Sequence, residues 1–246
     1  GGTWLASFAA DLGTGGERFT TTLRGGSSLA VLLTRGDLWF GALGTVTYVN
    51  GSNVMGFGHP LTGIGATDFY MSNAWVDGVW GSSAVPYKFG VPGALRGTLL
   101  SDRPAGVFGK IGPMPQEAII RARAQRTDTG ESATSSVAIT DRSINSALMF
   151  GPWVPAYAAS TAGYKLIDTW PAPGSAVTTT TVRLTDGETD YTVVLRNRYD
   201  SMDDIVAATA NDVVRIVGQL QLVNDTGIHQ ARITSIDLES ELSPSR

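Results

Sequence analysis

The chain has 246 residues, 42% hydrophobic and 16% charged, with a formal net charge of −4. That describes an ordered globular protein able to bury one or two cores, with no general attraction to nucleic acid or an anionic membrane. With no cysteine, disulfides, zinc–thiolate centres and cysteine nucleophiles are excluded.

Thirty glycines and abundant Thr and Val favour turns and strands over helices. No apolar run approaches the ~20 residues needed to span a bilayer. The chain opens with Gly1-Gly2 and shows no signal peptide, which reads as a processed or excised piece of a longer protein.

In chain order, a Gly/Thr-rich stretch from Gly13 to Gly26 precedes the apolar run Leu29 to Leu33, a buried strand between turn signals. Leu38 to Phe57 reads as two or three strands. Val46, Tyr48 and Val54 alternate with small or polar residues about Asn50-Gly51, the dipeptide of a tight type I′ hairpin. Phe69 to Val79 is expected to place Tyr70, Ser72, Ala74 and Val76 on one face. Leu95 to Leu100 and Ala105 to Ile111 continue the strands, and short strands at regular spacing point to a barrel or sandwich.

Ala118 to Arg126 is expected to pair with Ser132 to Thr140 across residues 127–131. From Ser143, a plausible N-cap, to Gly163 the chain turns apolar and helical, broken into two pieces by Gly151-Pro152 and Pro155. Trp170-Pro171-Ala172-Pro173-Gly174 is a linker or sharp turn. Val177 to Leu184 and Tyr191 to Leu195 form a hairpin about Asp186-Gly187. A helix capped by Ser201 then carries Ile205, Thr209, Val213, Ile216, Val217 and Leu220 on one face. Ile236, Leu238 and Leu242 alternate with acids in a closing strand.

Gly44-Thr45-Val46-Thr47 followed by Gly56-Phe57-Gly58-His59-Pro60 resembles the SpoIVB-type serine peptidase family, in the form of its divergent bacterial members. Gly90 to Gly112 is similar to that family's "PG…GT…D…AG…G" segment, including Pro92-Gly93, Gly97-Thr98, Asp102 and Ala105-Gly106. The match is firm from about Arg35 to Gly112 and loose from Thr181 to Leu242. The resemblance implies a mainly β protein, α+β overall. A trypsin-like β-barrel frame is expected over residues 1–142, helical pieces with a Pro/Gly linker over 143–174, and a β-β-α-β part over 175–246. It also implies a secreted or cell-surface bacterial setting.

Such a peptidase needs a base, an orienting carboxylate and a nucleophile beside oxyanion donors. By its motif His59 matches the family's catalytic histidine; from spacing alone it reads as a corner histidine bonded to backbone. Ile139-Thr140-Asp141-Arg142 resembles the family's "V-T-D-P" segment, with Arg142 in place of Pro, so Asp141 is either the catalytic aspartate or a strand-end residue. The family's "G-M-S-G-S-P" nucleophile element has no counterpart between Ser146 and Gly163. Ser160 lies near the right distance without glycine neighbours, and Ser82 and Ser83 follow Gly81 as a polar loop or as nucleophile candidates.

Elsewhere, Asp186, Glu188 and Asp190 read as a solvated hairpin tip rather than a Ca²⁺ loop, and His229 as a surface residue. Gly56-x-Gly58 and Gly63-x-Gly65 lack the features of phosphate loops. The six tryptophans are expected mostly in the core. No cofactor or metal is implied, and the partners expected are protein or cell-envelope components. Three functions stay open: a non-catalytic binding or assembly module, an active and perhaps self-processing serine endopeptidase using His59, and a cell-wall carbohydrate binder using exposed tryptophans. In each case His59 is expected to be substantially buried at the end of a strand. One of its ring nitrogens should meet a backbone oxygen or the carboxylate of Asp68, Asp77 or Asp141.

Overall fold

A computed structural model describes residues 3–8, 22–81, 87–146, 150–227 and 230–245, with the backbone alone at 3–8 and 87. The protein is mainly β, and the chain forms two compact units, residues 1–35 with 39–116 and residues 36–38 with 117–246. The division falls at Gln116/Glu117 and not near residue 142. Of the two strands on either side of residue 130, the first pairs with the last strand of the chain and the second pairs with the first, so both group with the C-terminal part.

Unit one contains β1 (Thr3–Phe8), β2 (Ser28–Gly36), β3 (Leu38–Asn50), β4 (Asn53–Gly56), β5 (Gly65–Trp80), β6 (Tyr87–Arg103) and β7 (Gly106–Ile111). Antiparallel pairings run β2–β3–β4–β7–β6–β5 and return from β5 to β2, so six strands close in a ring. A closed ring leaves no free edge among its members. A hairpin forms at the expected place, but Asn50 pairs with Asn53, so its two loop residues are Gly51-Ser52 and not Asn50-Gly51. With only Gly51 left-handed, at φ +58°, the turn has glycine first as in type II′ and is not the expected type I′. Ala30, Leu32, Leu43 and Tyr70 pack together, flanked by Trp39, Ala74 and Leu95.

β5 departs from the expected alternation. Phe69, Tyr70, Met71, Ser72 and Asn73 are all buried in succession, because the centre of this strand is covered on both sides. Its outer half is the reverse. Trp75 and Trp80 are half or more exposed.

Unit two holds β8 (Glu117–Arg126), β9 (Ser132–Thr140), α1 (Asp141–Asn145), α2 (Trp153–Tyr164), β10 (Gly174–Thr185), β11 (Asp190–Ser201), α3 (Ile205–Thr209), α4 (Asn211–Asp225) and β12 (Arg232–Pro244). Its strands lie in the order β9-β8-β12-β10-β11, with β12 parallel to β8 and antiparallel to β10. Chain order alone does not reveal that β12 enters the middle of the sheet. On one face Ile120, Ala122 and Ala124 of β8 stand beside Ile236, Leu238 and Ser240 of β12, all buried. α2 packs against β8 and β9 on unit two's helical side. Val154 to Ala156 and Ala158 to Gly163 are buried, while Trp153 and Tyr157 stay exposed, so the helix is covered over most of its surface. On the opposite face Arg121 pairs with Asp237 and Arg123 with Glu239 across the ladder.

The caps differ from expectation. Thr140, not Ser143, precedes α1, and the two hydroxyls bond each other at 2.7 Å. Asp204 caps α3 by accepting from Ala207 N at 2.9 Å, while Ser201 Oγ accepts from the amides of Asp203 and Asp204 in the preceding turn. The single expected helix is two, α3 and α4, meeting at Ala210.

Candidate functional site

The histidine corner lies wholly within unit one. β4 ends at Gly56, and the next two residues turn left-handed, Phe57 at φ +70° and Gly58 at φ +72°. A bulky residue in that region is strained, so its surroundings must hold it there. The Phe57 amide donates to Thr45 O at 2.8 Å. The Phe57 ring lies against the α-carbon of Gly44, where a β-carbon would come within 2.1 Å of it. The glycines of the G-T-V-T and G-F-G-H-P motifs thus serve one packing arrangement.

His59 follows, half-buried, with its ring 5.6 Å from that of Phe57 and tilted by 39°. Substantial burial was the expectation. The corner instead projects past the end of β4, and Gly58 and Pro60 on either side are exposed. His59 Nδ1 lies 2.8 Å from Pro60 O. A carbonyl oxygen only accepts, so Nδ1 carries the proton and Nε2 is the nitrogen left for any base chemistry.

The strongest polar feature of this corner was not singled out from sequence as a site. Asp102 of β6 is completely buried and receives the whole loop after His59. Leu61 N donates to Oδ1 at 2.8 Å, and Thr62 N, Thr62 Oγ1 and Gly63 N donate to Oδ2 at 2.6, 2.7 and 2.8 Å. Three successive amides converging on one carboxylate form a concave anion nest filled from within the protein. Asp102 therefore positions the loop, and these bonds all go to residues 61–63 and none to the imidazole.

The remaining predicted residues stand apart from this corner. Asp141 belongs to unit two, at the first turn of α1, and accepts from Arg232 Nε at 2.7 Å and Asn145 Nδ2 at 3.0 Å. Ser160 also belongs to unit two, buried in mid-α2, and donates to Ala156 O at 3.0 Å. A hydroxyl spent on its own helix and shut away from solvent is not a positioned nucleophile. Ser82, Ser83 and His229 lie outside the described residues. Among the described residues, no serine hydroxyl and no carboxylate bonds the His59 ring. Asp68 and Asp77 lie in β5; of the two kinds of partner expected for the ring, a backbone oxygen or a carboxylate, the structure shows the backbone oxygen, that of Pro60.

At the Asp186 turn, Oδ1 accepts from Glu188 N and Thr189 N at 2.9 and 2.8 Å, and Tyr191 OH donates to Oδ2 at 2.9 Å. These bonds hold the Asp186 carboxyl below its ordinary range, the Thr189 amide foremost. It is a hairpin tip using its carboxylate to close its own turn.

The tryptophans overturn their expectation. Trp75, Trp80, Trp153 and Trp170 are 50 to 72% exposed, and Trp39 is half-buried. They sit at a strand end, at the start of α2 and in the turn before β10, positions that core packing does not enclose. A bulge between Val76 and Gly78 puts Trp75, Gly78 and Trp80 on one face of β5. Phe89 of β6 pairs with Gly78 and lays its ring over it, so three exposed aromatic rings form a row on that face.

Among the described residues, no helix is long and apolar enough to cross a membrane. No family model, no curated protein and no solved structure matches this chain.

Proposed function

We propose that the chain is a SpoIVB-peptidase-like module of a secreted or envelope-facing bacterial protein, one that keeps the peptidase frame without the reaction and works by binding or assembly. In this reading the six-strand ring is the counterpart of the family's trypsin-like barrel, and the Gly44/Phe57 contact with the Asp102 nest preserves the histidine corner as architecture. The observation that carries it is the company of His59. Its Nδ1 proton goes to a backbone carbonyl, and no described hydroxyl stands at its ring. Without a nucleophile held against the base, most of the catalytic advantage is gone.

The test is labelling of the full chain with a fluorophosphonate probe, followed by intact-mass measurement. No adduct is expected. A stoichiometric adduct on Ser82 or Ser83, abolished by His59→Ala, would replace this reading with that of an active serine endopeptidase.

The aromatic row supports a second reading, a carbohydrate-binding face. Sugar rings stack their C–H faces on flat aromatic side chains, and Trp75, Phe89 and Trp80 present such surfaces two residues apart along one strand pair. Pull-down by insoluble cell-wall polysaccharide, lost in Trp75→Ala/Trp80→Ala, supports it. Equal retention of wild type and double variant on that polysaccharide removes it.

A further inference from the structure

Unit two ends in a strand that is long, bare on its outer edge, and complementary in charge to itself. β11 runs twelve residues and is hydrogen-bonded to β10 on one side. It is the last strand in the sheet order, so its other row of amides and carbonyls has no strand partner. Asp190 to Val194, Arg196, Arg198 and Asp200 are exposed, among them Tyr191, Val193 and Val194. Exposed edges of this length are templates for a further strand. Natural proteins blunt them with charge, and the charges of β11 decide what is kept out and what is let in.

Successive side chains of a strand alternate between faces, so Asp190, Thr192, Val194, Arg196 and Arg198 share one face, and Tyr191, Val193, Leu195 and Asn197 the other. Consider the strand laid antiparallel against itself. Centred on Leu195, Asp190 meets Asp200 twice, and centred on Arg196, that arginine meets its own copy. Both registers juxtapose like charges. Centred on Val194, Asp190 meets Arg198 at both ends of a nine-residue overlap, Thr192 meets Arg196, Val194 meets Val194, and Val193 meets Leu195. No salt bridge within the chain engages Asp190 or Arg198 among the described residues.

We propose that β11 is a self-association edge, pairing antiparallel with β11 of a second copy of this chain about a two-fold axis at Val194. The contact is isologous, as closed dimers require. It sets Val194 beside its own copy on one face and Val193 beside Leu195 on the other, and satisfies the free backbone row with identical groups from the partner. Other strands of alternating sequence would meet Asp190 and Arg198 without matched charges, which gives the edge its selectivity. The association is independent of any chemistry at His59.

The experiment is sedimentation equilibrium of the full 246-residue chain over a range of concentrations, with circular dichroism as the check of folding. Wild type is expected to form a reversible dimer. Arg198→Glu and Asp190→Arg should each weaken it about tenfold or more, by setting like charges together at both ends. The double swap Asp190→Arg/Arg198→Glu should restore dimerisation to within about threefold of wild type. Because the chain has no cysteine, Val194→Cys supplies a second readout. Mild oxidation should link two copies through residue 194, whereas Val177→Cys, exposed on β10 away from the edge, should stay uncrosslinked. A chain monomeric at every concentration overturns the proposal. So does a dimer unmoved by either single charge reversal, or a dimer in which Val194→Cys fails to crosslink.

Discussion

Asp102 holds both the amide and the hydroxyl of Thr62 on one carboxylate oxygen, at 2.6 and 2.7 Å, across forty residues of sequence. With Leu61 and Gly63 the carboxylate receives four donors, and it is wholly buried. An ionised acceptor satisfied this fully is stable in the interior only while every donor stays in place. Asp102→Asn keeps the shape, removes the charge and turns an amino group toward amides that can only donate. The expected loss is roughly 2–4 kcal/mol of stability by urea unfolding, with faster hydrogen exchange at Leu61, Thr62 and Gly63. Unchanged stability and exchange would mean that the nest does not hold the loop.

Local sequence displays some of this corner and conceals the rest. The β3–β4 hairpin, the β8–β9 pair and the hairpin about Asp186-Gly187 follow from turn chemistry and period-two patterning, both of which act within a few residues, although the first turns at Gly51-Ser52, one residue later than its dipeptide suggests. The Asp102 nest, the Gly44–Phe57 contact and the entry of β12 between β8 and β10 each join segments far apart in the chain. One sequence carries no signal for such pairings beyond composition. The cap of α3 moved from Ser201 to Asp204 for a local reason: both side chains bond amides two or three residues ahead, and only the backbone path tells a turn from a helix start.

Gly58 isolates a purely conformational cost. It sits at φ +72° with open space where a β-carbon would go, so substitution meets backbone strain and no collision. Gly58→Val should cost about 1–3 kcal/mol. Gly58→Asn should cost distinctly less, since Asn enters the left-handed region several-fold more readily. Thermal unfolding of the two variants in parallel checks the order, and equal midpoints for Val, Asn and wild type would refute it.

Gly163 in α2 sets two effects against each other. Gly→Ala in a helix interior gains up to about 1 kcal/mol from propensity. Here the new β-carbon would lie 2.6 Å from Val206 Cγ1 of α3. Overpacking a filled interior costs about 1–3 kcal/mol. The collision outweighs the propensity, so Gly163→Ala should destabilise the protein, and adding Val206→Ala should recover part of the loss. A stabilised single variant would show that α2 and α3 have room to separate.

The last prediction concerns alkaline pH. Tyr199 lies beside Asp212, whose carboxylate is buried and also accepts from Asn197 Nδ2 at 2.6 Å and from Arg215 at 2.9 Å. Burial pushes the Tyr199 phenol up to about 12, with its hydrogen bond to Asp212 the next cause. Tyr164 shifts the same way, through burial first and its 2.8 Å hydrogen bond to Asp204 second. The ordinary value for both is 10.0, so between that pH and the raised values the unfolded chain has released protons that the folded chain still holds. Stability then falls as pH rises. The contribution of each phenol is complete below pH 10.0 and, for Tyr199, is lost on the way to about 12. Urea unfolding of the wild type should show a midpoint declining across this window, with a shallower decline in Tyr164→Phe/Tyr199→Phe, which has no proton to lose at either site. Identical slopes for the two proteins would show that neither phenol is held protonated by the fold.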